Sequence, residues 1–134
     1  MSLFVDTSVW SLALRRDRPA EAPEVEALGR ALAAGDLVTT TGLVYQELLQ
    51  GFRGPRDQQA ITERFSALPF LTPDRQDHFE AAQLRNRARR RGVQIGTIDA
   101  ILTQLCIRHE LRLLTTDADF ARIAEHEPLE RWSP

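Results

Sequence analysis

Short strand-forming runs set between segments of helical periodicity constrain this chain more than any other feature. Leu3-Phe4-Val5 opens it, Asp36-Leu37-Val38-Thr39 follows, and Leu111-Arg112-Leu113-Leu114-Thr115-Thr116 comes late; "PFLTP" reads as an edge strand between prolines. Helices are predicted between them. Ser8 to about Arg16 carries Val9, Leu12 and Ala13 on one face, and the connector "RDRPAEAP" leads to a helix over about Glu24 to Ala34. There Val25, Leu28, Ala31 and Leu32 recur at helical spacing, and Gly35 stands where a helix C-terminal glycine belongs. Thr40 or Thr41 is expected to cap a helix reaching Gly51 or Phe52, and Pro55 to open one through about Leu68. The pair Thr72-Pro73 suits the start of a long helix ending near Arg91. Thr97 is expected to cap the helix bearing Ile98, Ile101, Leu102 and Leu105, and a last helix covers roughly Ala118 to Ala124. The tail from Pro128 reads as a final edge strand.

Such alternation implies an α/β fold, a short parallel sheet covered by helices on both faces. In these folds ligands bind beyond the carboxyl ends of the strands. With 134 residues, the chain suits one domain over 1–134 with a substantial core. Its 43% hydrophobic and 27% charged residues are ordinary for a globular protein. No apolar run approaches a membrane span and the N-terminus shows no signal-peptide pattern, so the expected location is cytoplasmic. The single cysteine, Cys106, allows no intrachain disulfide.

All 17 cationic side chains are arginine. The absence of lysine excludes a Schiff-base lysine, a phosphate-loop lysine and a lysine general base. Genome-wide codon bias explains the preference as readily as function does, although arginine's planar fork is suited to phosphate.

Carboxylates are the informative residues. Asp6 follows the strand "LFV" and Asp117 follows "LRLLTT", which puts both on one rim of the sheet. Asp99 falls in the first turn of its helix, where interaction with the helix dipole is an alternative explanation. Glu47 continues the apolar stripe of Leu43 and Val44, with Gln46 and Gln50 on the solvated side. A carboxylate at such a position must be paired, protonated or metal-bound, and a boundary salt bridge to arginine is the simple alternative. Four acids on one rim repel unless a cation neutralises them. An all-oxygen set suits Mg²⁺ or Mn²⁺. Thr7, Ser8, Thr115 and Thr116 add hydroxyls able to orient carboxylates or waters. Asp119 reads either as a fifth acid or as the cap of the last helix.

The pieces "VDTSVW", "YQEL", "IGTIDAILTQLC" and "LLTTDADF", in this order and spacing, resemble the PIN-domain nucleases, and most closely the VapC-type toxins of toxin–antitoxin pairs. The resemblance spans nearly the whole chain. It implies a Rossmann-like three-layer α/β/α fold and Mg²⁺- or Mn²⁺-dependent endoribonuclease activity. It also implies a VapB-like antitoxin, and a homodimer or toxin–antitoxin hetero-oligomer. Asp6, Glu47, Asp99 and Asp117 match the family's acidic quartet, with the positions of Asp6 and Asp99 the most direct metal ligands, and Thr116 matches a common hydroxyl.

Around these acids, "RNRARRRG" places Arg85, Arg87, Arg89, Arg90 and Arg91 at the end of the long helix. The cluster reads as an RNA-tracking surface, extended by Arg15, Arg16 and Arg18, or as cations favoured near a helix C-terminus. Trp10 suits packing better than base stacking. His78, His109 and His126 lack ligand-like spacing. The helices near Val25 to Leu32 and Ile61 to Leu68 are candidate partner contacts, which core faces explain equally. A receiver domain or a haloacid-dehalogenase-type phosphatase would need a lysine. A non-catalytic PIN-like binding protein, holding a structural ion or a partner's arginine, is the rival of a different class.

Overall fold

The computed structural model describes residues 1–15 and 21–134; Arg16, Arg18 and most of the connector lie outside them. β1 (Ser2–Val5) is followed by α1 (Thr7–Ala13) and α2 (Pro23–Ala34), then β2 (Leu37–Thr41), α3 (Gly42–Gly51) and α4 (Pro55–Ser66). β3 (Phe70–Leu71), α5 (Arg75–Arg90), α6 (Thr97–Arg108), β4 (Arg112–Leu114) and α7 (Asp119–Ala124) complete the order. All strand pairings are parallel, in the order β3-β2-β1-β4. The chain steps outward from β1 to β2 to β3, then returns to add β4 on the other side of β1. Right-handed crossovers therefore place α1 to α4 on one face and α5 and α6 on the other. The reversal lies between β1 and β4, which is where such a sheet opens a crevice.

The strands are short and buried because the sheet is covered on both faces. Leu3, Phe4 and Val5 are completely inaccessible, as are Leu113 and Leu114. β2 runs two residues beyond its expected end, because Thr39, Thr40 and Thr41 are all buried and β-branched, suited to an inner strand. The Thr39 hydroxyl, turned inward, donates to the carbonyl of Leu3 at 3.0 Å. The tail contributes one isolated bridge, Leu113 to Arg131, rather than a strand. Even so, the Leu113 amide donates to Glu130 O and the Trp132 amide to Leu113 O, so the outer edge of β4 is covered.

Helix starts differ from expectation where reciprocal capping outweighs a local signal. α5 begins at Arg75, not at Pro73: Asp74 accepts from the Asp77 amide at 2.8 Å, and Asp77 accepts from the Asp74 amide at 3.0 Å. Asp77 is almost completely buried, and Arg108 from the end of α6 reaches it at 2.6 Å, tying the two helices together. Gly96, not Thr97, is the N-cap of α6. Gly35 ends α2 in the left-handed region, φ 74°, as a C-terminal glycine does. The apolar stripes of α2 (Ala27, Leu28, Ala31) and α4 (Ile61, Phe65) are committed to the core. Trp10 is also interior, its ring 4.9 Å from that of Phe65. Among the described residues, no helix is long and apolar enough to cross a membrane.

Candidate active site

Register builds the site. Val5 pairs with Leu114 in the parallel β1–β4 ladder, and the Asp6 amide extends it by donating to Leu114 O at 3.0 Å. The residues just past the two strand ends, Asp6 and Thr115, are thereby brought together. Asp6 is also the N-cap of α1, so the turn from strand to helix fixes its backbone while its carboxylate accepts from the Thr7 amide.

Asp6 is 7% exposed, and among the described residues only neutral donors reach its carboxylate. Its Oδ1 accepts from the Thr7 amide at 2.8 Å, and its Oδ2 accepts from the Ser8 hydroxyl at 3.0 Å and the Thr115 hydroxyl at 2.8 Å. The network continues outward. Ser8 Oγ accepts from the Thr116 amide, Thr115 Oγ1 from the Asp117 amide, and Asp117 Oδ1 from the Asp119 amide. Thr115 thus supplies the hydroxyl that orients Asp6, whereas Thr116 enters through its backbone. Asp119 is the first residue of α7 and not its cap; Asp117 accepts from its amide instead.

Glu47 lies half-buried at the edge of the stripe formed by Leu43, Val44 and Leu48. Thr7 bridges the two elements, its hydroxyl donating to Glu47 Oε1 at 2.9 Å. Gln46 and Gln50 bond to each other on the exposed side, as their spacing suggests. Asp99, in the first turn of α6, has its pKa raised to about 6, chiefly by burial and then by repulsion from Asp6, Asp117, Glu47 and Asp119. A carboxylate placed only to complement a helix dipole would be stabilised in its charged form. Here burial and neighbouring charge outweigh the dipole.

Among the described residues no arginine salt-bridges Asp6, Glu47, Asp99 or Asp117, so the simple explanation for Glu47 finds no partner there. Nor do any three acidic, histidine or cysteine side chains there converge into a ready-made metal cage. Asp6, Asp117, Glu47 and Asp119 nevertheless lie near enough to Asp99 to repel it. This donor set fits Mg²⁺ or Mn²⁺: such hard ions keep several waters and need only one or two direct carboxylates, together with substrate phosphate oxygens.

The charge at Asp99 has a consequence for the metal-free protein. Its pKa in the folded chain exceeds the ordinary carboxylate value, so the folded state holds more protons between about pH 4 and pH 6. The stabilisation it contributes at low pH is therefore lost as pH rises through about 6. Asp99→Asn removes that loss. In chelator at pH 7 the variant is expected to be more stable than the parent by about 1 kcal/mol, allowing for solvent screening, with the gap closing toward pH 4. Urea melts across that range measure it; a variant less stable than the parent at pH 7 contradicts the repulsion.

The arginine cluster divides. Arg87 forms a two-point pair with Glu127, at 2.8 and 3.1 Å, and Arg91 bonds His126 Nδ1. Arg85 donates through Nε to the carbonyl of Ile95 at 2.9 Å, and Arg89 and Arg90 are exposed. Arg15 is exposed too.

The PIN-domain family model matches residues 3–126. The chain belongs to the PIN-domain family. Within it, this PIN domain belongs with the VapC proteins: it is 31% identical over 124 residues to Ribonuclease VapC11 of Mycobacterium tuberculosis, covering 91% of both chains. Among the solved structures that share the fold are two VapBC structures. One is VapBC2 from Rickettsia felis bound to a DNA fragment from their promoter, with TM-score 0.75, 20% identity, and 99% of this chain and 100% of that one covered. The other is VapBC-1 from nontypeable Haemophilus influenzae, with TM-score 0.75, 18% identity, and 99% and 98% covered.

Proposed function

We propose that this PIN domain, read as one unit over 1–134, is a Mg²⁺- or Mn²⁺-dependent endoribonuclease and the toxin of a VapBC-type pair. The observation that carries the reading is Asp99, a half-buried carboxylate pressed by four other acids, with no arginine salt bridge to balance it among the described residues. Asp6 and Asp99 would hold the ion most directly, with Glu47 and Asp117 completing the acidic set through the waters it keeps. When bound, it supplies Lewis acidity toward a phosphoryl oxygen and lowers the pKa of water for in-line attack.

The chain's own residues do the positioning. Ser8, Thr115 and the Thr7 amide fix both oxygens of Asp6, so its direction is set before substrate arrives. Thr7 holds Glu47 in the same way. Asp117 and Asp119, on the exposed rim, close the outer side. The likeness to a VapC ribonuclease and to VapBC structures supports a VapB-like antitoxin and an RNA substrate; on this reading the chain acts in the cytoplasm, as a homodimer or a toxin–antitoxin hetero-oligomer.

Incubating the purified chain with RNA tests this directly. Cleavage is expected with Mg²⁺ or Mn²⁺ and is expected to stop in excess chelator, returning when the ion is restored. RNA left intact with either ion, or cut equally well in chelator, defeats the reading.

A further inference from the structure

Five arginines close α5, but two of them line one cavity. A recess of about 520 Å³ lies between Arg85, Arg89 and the segment Val93, Gln94, Ile95 and Gly96. Arg87 and Arg91 point into bonds with Glu127 and His126, and Arg90 does not line the recess. Arg85 is held in place by its Nε bond to Ile95 O, which leaves its terminal nitrogens free of that bond. Neither Arg85 nor Arg89 forms an ion pair among the described residues. Their i, i+4 spacing sets like charges on neighbouring positions of one helix, an arrangement that destabilises unless an anion lies between them.

We propose that this recess is a phosphate subsite for single-stranded RNA, holding a phosphate near the one that is cut. The substrate class rests on the nuclease reading; the subsite rests on the recess. Guanidinium groups match phosphate oxygens in pairs, and Gln94 adds an amide donor. The segment ends at Gly96, three residues before Asp99, a rise of about 4.5 Å along α6. A strand gripped here is delivered to the crevice, where the acids alone would repel it. Contacts away from the reacting atoms orient the substrate.

The test is binding of a labelled oligouridylate to the full chain in chelator, followed by anisotropy across a salt series. Arg85→Ala with Arg89→Ala is expected to weaken affinity by about tenfold or more and to reduce the salt slope by about 1.4, the value for two single-strand phosphate contacts. Arg90→Ala is expected to change affinity less than about twofold. Arg85→Lys keeps the charge but loses the Ile95 anchor, and is expected to stay about threefold weaker than the parent. An unaffected double variant, an Arg90→Ala loss as large as the double, or displacement by polyglutamate as efficient as by unlabelled RNA overturns the subsite. Binding is read without cleavage, so the two readings fail separately. A parent that cuts RNA while its affinity ignores Arg85 and Arg89 loses only the subsite, and one that binds through them without cutting loses only the nuclease.

Discussion

Asparagine in place of Asp6 or of Asp99 is expected to lower metal-dependent RNA cleavage by about a thousand-fold, roughly 4 kcal/mol of transition-state stabilisation. Each substitution removes a negative charge from the acids proposed to hold the ion, while keeping nearly the same volume. The two variants differ in structural cost. Asp6 accepts from three donors, and an amide nitrogen cannot accept from Ser8 and Thr115, so Asp6→Asn disturbs the strand end as well. Asp99 carries no such network, and its replacement relieves repulsion. Asp99→Asn is therefore the cleaner variant: nearly inactive, yet no less stable than the parent. Initial rates on one RNA with Mg²⁺ and with Mn²⁺, beside thermal melts, separate the two effects. Parent-like cleavage by both variants would end the assignment of the crevice as the reaction site.

Truncating Trp10 to alanine is expected to destabilise the chain by about 3–5 kcal/mol, which for a domain of this size lowers Tm by roughly 10–20 °C. The indole is 2% exposed and meets Phe65, which in turn meets Tyr45. Four residues before it stands Asp6, so a base-stacking role was open on sequence alone; burial assigns the ring to packing. The indole Nε1 has no hydrogen-bond partner among the described residues. Trp10→Phe removes that unsatisfied donor, which offsets part of the lost volume, and is expected to cost less than about 1.5 kcal/mol. Calorimetry on both variants decides it. A small loss for alanine, with RNA binding reduced instead, would return Trp10 to the surface.

Asp6, Asp99 and Asp117 were legible because they sit at or just beyond element ends, where strand and helix signals are strongest. Asp6 and Asp117 follow apolar runs too short to be anything but strands, and Glu47 interrupts a stripe. Helix starts were less legible. Thr72-Pro73 and Thr97 are good local caps, yet Asp74 with Asp77 and Gly96 hold those places, because reciprocal bonds and tertiary packing outweigh propensity. The arginine run illustrates the same limit from the other side. Five adjacent cations look alike along the chain, and only their partners distinguish Arg87 and Arg91 from Arg85 and Arg89. Asp77 was not legible at all: nothing in its neighbourhood marks it as a buried acid before Arg108 arrives from another helix.

Periodicity is local, so hydrophobic spacing along the chain was enough to specify alternating strands and helices, a parallel sheet and a rim carrying acids. Distances between residues far apart in the chain depend on strand order and register. That β1 lies beside β4, that Thr115 rather than Thr116 touches Asp6, and that Asp99 feels four other carboxylates were settled by the folded arrangement. The physical reason is that charge repulsion and hydrogen bonding act over a few ångströms of space, whatever the number of residues between the partners.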